Sequence, residues 1–286
     1  MGIYKTEASR ELVLAAYDRS VERLAVEFER RTVETRFGPT HVLVAGPGDG
    51  PPLVNFHGGN SFNADTLSWF LPLTENFRMF APDTIGHPGR SAEVRLSPKD
   101  LSYGEWAADV IAALDLQRTA VMGTSYGAGI CLRLAAVAPE RIQHMVLVHP
   151  AGLVNPPVWP MLSKLLWPFL RFRMSGKREH IAGMLQPLFG DAPVDEEAID
   201  TLELVFAHLV PENRMPRPAT KAELEGFTAQ TLVIAGEHDV LFRRALERAS
   251  EVIPNVTTHL FRDCGHYPPP DRRAELAQRV SDFLQA

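Results

Sequence analysis

An apolar strand pattern that runs into a glycine-rich turn and then into a helical pattern constrains this chain more than any other feature. Residues 119–122 (TAVM) have the composition of a buried strand, and residues 128–138 (AGICLRLAAVA) have that of a helix. Between them lie residues 123–127 (GTSYG), a G-x-S-x-G sequence. So sharp a turn from strand to helix holds its central residue in a strained backbone conformation and leaves that side chain exposed. We therefore expect the Ser125 hydroxyl to project from the edge of a sheet.

Strand and helix patterns alternate on both sides of this turn. Strand patterns precede it at residues 51–56 (PPLVNF) and 77–83 (FRMFAPD), and others follow it at residues 144–150 (HMVLVHP) and 229–239 (AQTLVIAGEHD). Strands separated by helices at this spacing form βαβ units. The sequence therefore predicts an α/β fold with a mostly parallel, doubly wound sheet, and ligands bind at the carboxyl ends of the strands in such sheets.

The alternation stops after Pro150 and resumes near residue 225. Residues 152–224 have no clear strand pattern, and they are rich in proline, tryptophan and leucine with several helical stretches. We therefore expect an α/β core in two pieces, residues 1–151 and 225–286, with a helical cap inserted as residues 152–224. The 286 residues suffice for one large domain with an insertion and are too few for two independent enzyme domains.

A serine hydroxyl is a weak nucleophile near neutral pH and needs a base beside it. Among ten histidines, His266 is the best placed, because it lies in a loop (DCGHYPPP) between a late strand and the last helix. Asp239 directly follows the strand pattern TLVIAG, and a carboxylate there would orient the imidazole and stabilise its charged form. The order serine, acid, histidine is the one expected for this fold. Glu237 is an alternative acid, whereas Asp263 is a weaker one because its position fits the end of a strand.

Acyl transfer passes through a tetrahedral intermediate whose negative oxygen requires hydrogen-bond donors. We expect one donor to be the backbone N–H of Tyr126, which follows the serine. The other is expected from the loop His57-Gly58-Gly59-Asn60 after the strand PPLVNF, and Gly59 is favoured because glycine lets a backbone approach a substrate closely. His57 is expected to brace this loop rather than to act as a second base, and His57, Gly58 and Asn60 are all expected to belong to the substrate site.

These segments together resemble the α/β-hydrolase superfamily, and within it the small bacterial carboxylesterases, including those that cleave arylpropionate esters. The segments that carry the resemblance stand in the family's order over most of the chain: HGGNSFNADTLSW, APDTIGHPGRS, VMGTSYGAG, VIAGEHD and DCGHYPPP. The resemblance implies an esterase with a helical cap over the site, and it implies no metal and no organic cofactor. Tyr126 departs from the family's pattern, in which a smaller or apolar residue commonly follows the serine, and its bulk is expected to narrow the site.

The cap segment carries aromatic and basic side chains for which the sequence allows two interpretations each. Trp159 and Trp167 are candidates for lining an apolar substrate pocket, and packing of the cap on the core is the ordinary alternative. A cluster of basic residues accompanies them: Lys164, Arg171, Arg173, Lys177 and Arg178. A solvated helix face is the ordinary interpretation of this cluster, and attraction of acidic substrates is the alternative.

Charge and cysteine content exclude several classes of protein. The formal net charge is −6 and no stretch is strongly basic, which argues against nucleic acid or an anionic membrane as the main partner. The two cysteines form no metal-ligand pattern and fit a reducing compartment. Because the sequence has no signal-peptide pattern and no apolar segment long enough to span a bilayer, we expect a cytoplasmic protein without membrane insertion, either a monomer or a homodimer.

The predicted function is hydrolysis of carboxylic esters of small, hydrophobic molecules through an acyl-enzyme. Ser125 is the predicted nucleophile, His266 the base and Asp239 the acid that orients it. The same three residues would also serve carbon–carbon bond hydrolysis of a dienoate, hydrolysis of a lactone or an amide, or perhydrolysis. Epoxide and haloalkane hydrolases are disfavoured, because they carry an aspartate where Ser125 stands.

Surrounding charge separates some of these alternatives. A carbon–carbon hydrolase needs a basic contact for the substrate carboxylate, which the region of Arg171 and Arg173 would supply. An aminopeptidase needs an acidic contact for an amine, for which Glu196 and Glu197 are available. A different class altogether is a non-catalytic ligand receptor on a hydrolase scaffold.

Overall fold

The computed structural model describes residues 2–286, and an eight-stranded sheet forms its centre. Its strands are β1 (Glu29–Thr35), β2 (Gly38–Ala45), β3 (Pro52–Phe56), β4 (Arg78–Pro82), β5 (Thr119–Thr124), β6 (Ile142–Val148), β7 (Gln230–Gly236) and β8 (Val256–Phe261). They lie in the order β1-β2-β4-β3-β5-β6-β7-β8. β2 is antiparallel to both of its neighbours, and every pair from β4 to β8 is parallel. The predicted α/β fold with a mostly parallel sheet is confirmed.

Burial along the strands follows their place in the sheet. Every residue of β5, at the centre, is buried, which explains its continuous apolar sequence, because a parallel strand is covered on both faces. β1 and β8 lie at the two edges, and most of their residues are partly or fully exposed. The apolar core therefore lies around the central strands, whose carboxyl ends carry the segments GTSYG and HP.

Ten α-helices accompany the sheet in the described chain. They are α1 (Glu7–Arg23), α2 (Asn63–Leu67), α3 (Ser102–Ala113), α4 (Tyr126–Val137), α5 (Val158–Pro160), α6 (Trp167–Ser175), α7 (Glu179–Phe189), α8 (Glu196–His208), α9 (Ala245–Val252) and α10 (Arg273–Gln285). Within residues 2–286, none of these helices combines the length and the apolar composition that crossing a bilayer requires.

The segment between β6 and β7 holds α5 to α8 and, within the described residues, no strand. A π-helical turn, Met161–Leu166, joins α5 to α6 with helical backbone at both junctions, so residues 158–175 form one helical run. We propose that residues 152–224 form a cap on a core made of residues 1–151 and 225–286. The first residue of that core, Met1, lies outside the described residues.

Candidate active site

Ser125 lies in the turn between β5 and α4 with φ +51° and ψ −111°, a conformation that non-glycine residues rarely adopt. A side chain at Gly123 would overlap the carbonyl of Gly127, and one at Gly127 would overlap the carbonyl of Phe56. The Ser125 N–H donates to the carbonyl of Val148 in the neighbouring strand at 2.9 Å. The close backbone packing that Gly123 and Gly127 allow, together with this hydrogen bond, holds the strained turn in place.

The structure brings Ser125, His266 and Asp239 into one hydrogen-bonded series. Nε2 of His266 lies 3.0 Å from Oγ of Ser125, and Nδ1 of His266 lies 2.9 Å from Oδ2 of Asp239. Oδ1 of Asp239 accepts the backbone N–H groups of Leu241 at 2.8 Å and Phe242 at 3.2 Å. Every oxygen of this buried carboxylate therefore has a partner, and the hydroxyl proton of the serine has an acceptor within transfer distance.

The environment of Asp239 keeps its carboxylate ionised. Burial alone would raise its pKa, but the electrostatic interaction with His266 and the hydrogen bond from its Nδ1 hold the pKa of Asp239 well below its usual range. A carboxylate beside Nδ1 of His266 favours the tautomer with the proton on that nitrogen. Nε2 is then free to accept the proton of Ser125.

The other two acids considered from the sequence lie away from this series. Glu237 is exposed, and its Oε2 accepts the backbone N–H of Asp263 at 3.2 Å. Asp263 is also exposed and follows β8 with φ +51°. Of the three acids, the structure brings Asp239 to His266 and leaves the other two at the surface.

His149 is a neighbour of this series that the sequence analysis missed. It directly follows β6, is fully buried, and lies with Nδ1 3.7 Å from Oδ2 of Asp239. The same Nδ1 accepts the backbone N–H of Gly236 at 3.2 Å, and the ring centre is 5.5 Å from that of His266. Burial lowers the pKa of His149. The sequence did contain a sign of this position. His149 directly follows the apolar strand β6, just as the segment GEHD, with Asp239, stands at the end of β7.

His57 braces the loop after β3 and lies inside the fold. Its Nε2 accepts the backbone N–H of Thr84 at 2.9 Å, and its Nδ1 lies 2.7 Å from the carbonyl oxygen of Gly58. A neutral ring with its proton on Nδ1 satisfies both contacts, and burial lowers the pKa of His57. These two contacts link the His57 ring to the backbone of Gly58 and Thr84, and no nitrogen of the ring lies at Ser125.

The backbone N–H of Gly59 differs from the other N–H groups of this loop in its contacts. The neighbouring N–H groups of Gly58 and Asn60 face the side chains of Thr66 and His87, at 3.2 and 3.4 Å. The N–H of Gly59 donates to no acceptor within residues 2–286. Because Gly59 also lines the cavity at Ser125, its N–H is available to a ligand there.

The Tyr126 backbone and side chain lie in different surroundings. Its N–H, at the first position of α4, likewise has no acceptor in the described part of the chain. Its ring is buried against His87 and Tyr103, with ring centres 4.6 and 5.6 Å apart, and does not line the cavity. The expectation that this ring narrows the site is therefore wrong. Instead the ring supports the loop, since a side chain at Gly59 would come within 3.2 Å of its Cβ.

Asn60 ties the same loop to the chain that follows α8. Its backbone has φ +54°, and its side-chain amide donates to the carbonyl of Glu212 at 2.7 Å. The amide oxygen accepts the N–H of Glu212 at 2.8 Å in return. Asn60 thus shapes the loop from behind by a paired link to the end of residues 152–224.

A cavity of about 60 Å³ opens at Ser125 and His266. Its apolar wall is formed by Trp69, Leu202 and Tyr267, among others. Tyr267, directly after His266 in the segment DCGHYPPP, is a lining residue that the sequence did not predict. α8 supplies part of the wall, so the cavity lies between the sheet edge and the segment inserted after β6.

Charged side chains also line this cavity, and most of them are paired. Arg273 donates to Asp195 at 2.9 Å, and Glu197 lies 3.1 Å from Arg23. Asp65 has no basic partner within 4.0 Å among residues 2–286, and burial raises its pKa to about 7 despite the hydrogen bond from the Phe62 N–H. Of these groups the sequence pointed to Glu197 alone, because the side chains that face one another here are far apart along the chain.

The structure does not bring Trp159 or Trp167 to the cavity. Their side chains are 76% and 57% exposed, and neither lines it. The opposite side of the same helical run, with Leu165 and Phe169, packs on the protein instead. The expectation that the two tryptophans line a substrate pocket is corrected accordingly.

In the described part of the chain, residues 2–286, two groups of side chains have the composition of metal ligands. His149, Asp239 and His266 present ligand atoms within 4.8 Å of one another, and so do the exposed Glu237, His238 and Asp263. In the first group, both nitrogens of His266 already make hydrogen bonds to Ser125 and Asp239. The absence of a metal and of an organic cofactor stays a prediction.

Comparisons with known proteins extend over most of the chain. A family model described as the alpha/beta hydrolase family matches residues 42–279. The carboxylesterase YbfK of Bacillus subtilis is 28% identical over 278 residues, which are 94% of this chain and 92% of that protein. The 2-hydroxymuconate semialdehyde hydrolase of a Pseudomonas species is 27% identical over 266 residues, which are 83% of this chain and 88% of that protein.

Solved structures have the same fold. The crystal structure of carboxylesterase CesB (YbfK) from Bacillus subtilis has a TM-score of 0.82 at 24% identity and covers 97% of this chain and 98% of that chain. That of naproxen esterase from the same organism has a TM-score of 0.78 at 22% identity and covers 94% and 96%. At these identities the likeness establishes the fold.

Proposed function

The chain belongs to the alpha/beta hydrolase family, and from this premise we propose that it hydrolyses carboxylic esters through an acyl-enzyme. Ser125 is the nucleophile, His266 is the general base and acid, and Asp239 orients His266. The observation that carries the proposal is the series from Ser125 Oγ to His266 to Asp239, with distances of 3.0 and 2.9 Å. A serine in this setting loses its proton to the imidazole as it attacks, which an isolated serine hydroxyl cannot do.

Acylation begins with attack of Ser125 Oγ on the ester carbonyl carbon while the hydroxyl proton passes to Nε2 of His266. The carbonyl oxygen becomes negative, and the N–H groups of Gly59 and Tyr126 donate hydrogen bonds to it. Collapse of this intermediate breaks the bond between the acyl carbon and the alcohol oxygen. His266 returns the proton to that oxygen, so the alcohol leaves neutral and the acyl group remains on Ser125.

Deacylation repeats the chemistry with water. His266 takes a proton from a water molecule as the water oxygen attacks the acyl carbon, and the same two N–H groups stabilise the second intermediate. The bond to Ser125 Oγ then breaks, and the proton returns from His266 to the serine. The products are a carboxylic acid and the regenerated hydroxyl. Asp239 stays ionised throughout and stabilises the imidazolium in both halves of the cycle.

The substrates are esters with a small, largely apolar acyl group. A cavity of about 60 Å³ holds only a few water molecules, and Trp69, Leu202 and Tyr267 form its apolar wall. The relatives named as carboxylesterases support ester hydrolysis at this site, since one is 28% identical over 94% of the chain.

The direct test is hydrolysis of p-nitrophenyl acetate and butyrate by the wild type and Ser125→Ala. We expect Ser125→Ala to lower kcat at least about a thousandfold, because the remaining site lacks a nucleophile. Ser250→Ala, which truncates an exposed serine of α9, is the matched control and should keep the wild-type rate. Turnover of Ser125→Ala at the wild-type rate would rule out the proposal.

Carbon–carbon bond hydrolysis is the second candidate, because a 2-hydroxymuconate semialdehyde hydrolase is 27% identical over 83% of the chain. The basic side chains considered for its substrate, Arg171 and Arg173, do not line the cavity. Arg273 does, but Asp195 already pairs with it at 2.9 Å. Among residues 2–286, the cavity therefore offers no unpaired arginine or lysine for a dienoate carboxylate, and we favour esters.

The two acids considered for the amine contact of an aminopeptidase, Glu196 and Glu197, are both paired with arginines. Glu196 pairs with Arg178 at 2.6 Å and does not line the cavity, whereas Glu197 lines it but pairs with Arg23. A single substrate profile across a p-nitrophenyl ester, a lactone, an anilide and a dienoate separates these reactions. Labelling of Ser125 by a fluorophosphonate separates all of them from a non-catalytic receptor, which would resist the probe.

A further inference from the structure

The helical run of residues 158–175 presents apolar side chains to solvent along its outer face. We call this face the apolar stripe. Its members are Val158, Trp159, Leu162, Leu166, Trp167, Leu170 and Met174. Five of them recur at intervals of four residues, which places them on neighbouring turns of one face. Trp159 and Met174, near its two ends, are each 76% exposed, so the stripe is uncovered over its whole length.

The inner face of the same helical run is also apolar and is already used. Phe172 is buried, and Met161, Leu165 and Phe169 pack against the core. The Phe169 ring contacts the Phe206 ring of α8, with ring centres 4.9 Å apart. A helix with apolar side chains on two faces is ordinarily buried on both. Here the inner face packs on the protein, whereas the outer face is exposed.

Basic side chains without acidic ones accompany the stripe. No Asp or Glu occurs between Arg141 and Glu179 in the sequence. The exposed basic residues of this stretch that form no ion pair within residues 2–286 are Lys164, Arg171 and Arg173. Arg178, in contrast, is paired with acids of α8. The net charge of −6 conceals a region that is locally positive.

We propose that the apolar stripe docks this protein on the surface of an anionic lipid bilayer. Tryptophan and leucine on one helix face, flanked by lysine and arginine, match the depth profile of a bilayer interface, where apolar side chains enter the acyl boundary and cations meet the headgroups. Lys164, Arg171 and Arg173 supply the charge complementarity to anionic headgroups. The helix lies on the surface and does not cross it.

A second copy of the chain fits this face less well. In a twofold-symmetric dimer each residue of the stripe meets the same region of its partner. The unpaired cations at Lys164, Arg171 and Arg173 would then face one another with no acid of the stretch to separate them. An anionic bilayer has the opposite charge, so it satisfies the apolar and the cationic parts of the face together.

The stripe lies on an element connected to the cavity wall. α6 packs through Phe169 on Phe206 of α8, and α8 contributes Ala198 and Leu202 to the cavity. Docking would therefore place the bilayer against the segment that bounds the cavity. The docking itself is independent of the proposed ester hydrolysis.

The test is sedimentation of the full chain with vesicles of phosphatidylcholine alone and of phosphatidylcholine with about one third phosphatidylglycerol. We expect binding to the anionic vesicles and at least about tenfold weaker binding to the neutral ones. Salt near 1 M, where the Debye length is about 3 Å, should weaken binding to the anionic vesicles. The tryptophan emission should shift to the blue on binding, and this reports on Trp159 and Trp167 because the other two tryptophans, Trp69 and Trp106, are buried.

Variants test whether the apolar stripe, rather than another part of the surface, binds the vesicles. The double variant Trp159→Ser, Trp167→Ser should bind anionic vesicles at least about tenfold more weakly, because apolar area no longer enters the interface. Trp159→Phe, Trp167→Phe should retain most of the binding. Leu12→Ser, at an exposed leucine of α1, is the matched control, and circular dichroism melting checks that each variant is folded.

Three results would overturn the proposal. The first is absence of binding to the anionic vesicles. The second is equal binding by the wild type and the double serine variant. The third is sedimentation velocity that reveals a dimer dissociated by the double serine variant, without vesicle binding, which would assign the stripe to a second copy.

Discussion

At the scale of single residues, the site depends on which atom of each side chain contacts which partner. Nδ1 of His266 has Asp239 as its partner, and Nε2 of His266 has Ser125. His57 makes two hydrogen bonds of its own and is occupied inside the loop that it braces. His57 and His266 are both buried near Ser125, and an imidazole is capable of the same chemistry at either position. The two residues differ because the atoms that contact their ring nitrogens differ.

The position of Asp239 leads to a prediction about catalysis. Asp239→Asn should lower kcat for p-nitrophenyl butyrate by about a thousandfold to ten-thousandfold, because an amide facing Nδ1 stabilises the wrong tautomer of His266. The measurement is steady-state kinetics, with fluorophosphonate labelling of Ser125 as an independent readout.

The control for that prediction is Glu237→Gln, two residues away and exposed. It should leave kcat within about twofold of the wild type, because it contacts neither His266 nor Ser125. Loss of activity in Glu237→Gln together with retention in Asp239→Asn would transfer the orienting role to Glu237.

At the scale of elements, the turn between β5 and α4 is the most constrained part of the chain. Its serine has positive φ, and its glycines leave no room for a side chain. The strained conformation persists because β5 and α4 are themselves tightly packed on both sides. The element pair therefore determines where the Ser125 hydroxyl stands, and the side chains around it determine what that hydroxyl can do.

A pair of glycine substitutions tests how tightly this turn is packed. Gly127→Ala should destabilise the protein by about 2 kcal/mol or more, because its Cβ would overlap the carbonyl of Phe56. Gly183→Ala, inside α7, should stabilise it by about 1 kcal/mol, because alanine has the higher helix propensity and its Cβ would have no atom within 4 Å. Urea unfolding measures both. Equal stability of the two variants would contradict the tight packing of the turn.

At the scale of the whole molecule, the chain that returns from the inserted segment is joined to the core by a partly buried ion pair. Arg133 of α4 is almost fully buried and lies 3.1 Å from Glu223, which also pairs with Arg217. Burial lowers the pKa of Arg133. Hydrogen bonds from Arg217 lower the pKa of Glu223 to about 2, against the effect of its own burial. The pairing therefore stabilises the folded chain when the carboxylate is ionised.

Removing that charge should weaken the fold as a whole. Glu223→Gln should lower the free energy of unfolding by about 3 kcal/mol, because it leaves the Arg133 guanidinium buried without a counter-charge. Glu247→Gln removes an exposed pair with Arg244 and should leave the unfolding midpoint unchanged. Urea unfolding at neutral pH compares the two variants with the wild type.

The pH dependence of the same pair has a definite sign. Since the pKa of Glu223 is lowered in the folded state to about 2, its stabilisation is complete above the ordinary value near 4.5 and is lost as the pH falls towards 2. The stability difference between wild type and Glu223→Gln should therefore shrink on acidification over that range. A difference that stays constant from neutral pH to pH 2 would contradict the assigned pairing.

The sequence determined the fold class and most of the elements of this protein, because those depend on local periodicity. The alternation of strand and helix patterns predicted the mostly parallel sheet, and the turn GTSYG predicted the position of Ser125 after β5. His266 and Asp239 were also predicted, since both follow strands whose carboxyl ends meet at one edge of the sheet. The structure brings them to Ser125 at hydrogen-bond distance.

Only the tertiary structure decided which surfaces face one another. It placed His149 beside Asp239 and the Tyr126 ring beneath the loop, and it turned Trp159 and Trp167 to the outside. Periodicity in a sequence tells which side chains share a face of a helix, but it does not tell what covers that face. That depends on contacts between residues far apart along the chain, and those contacts form only when the whole chain is folded.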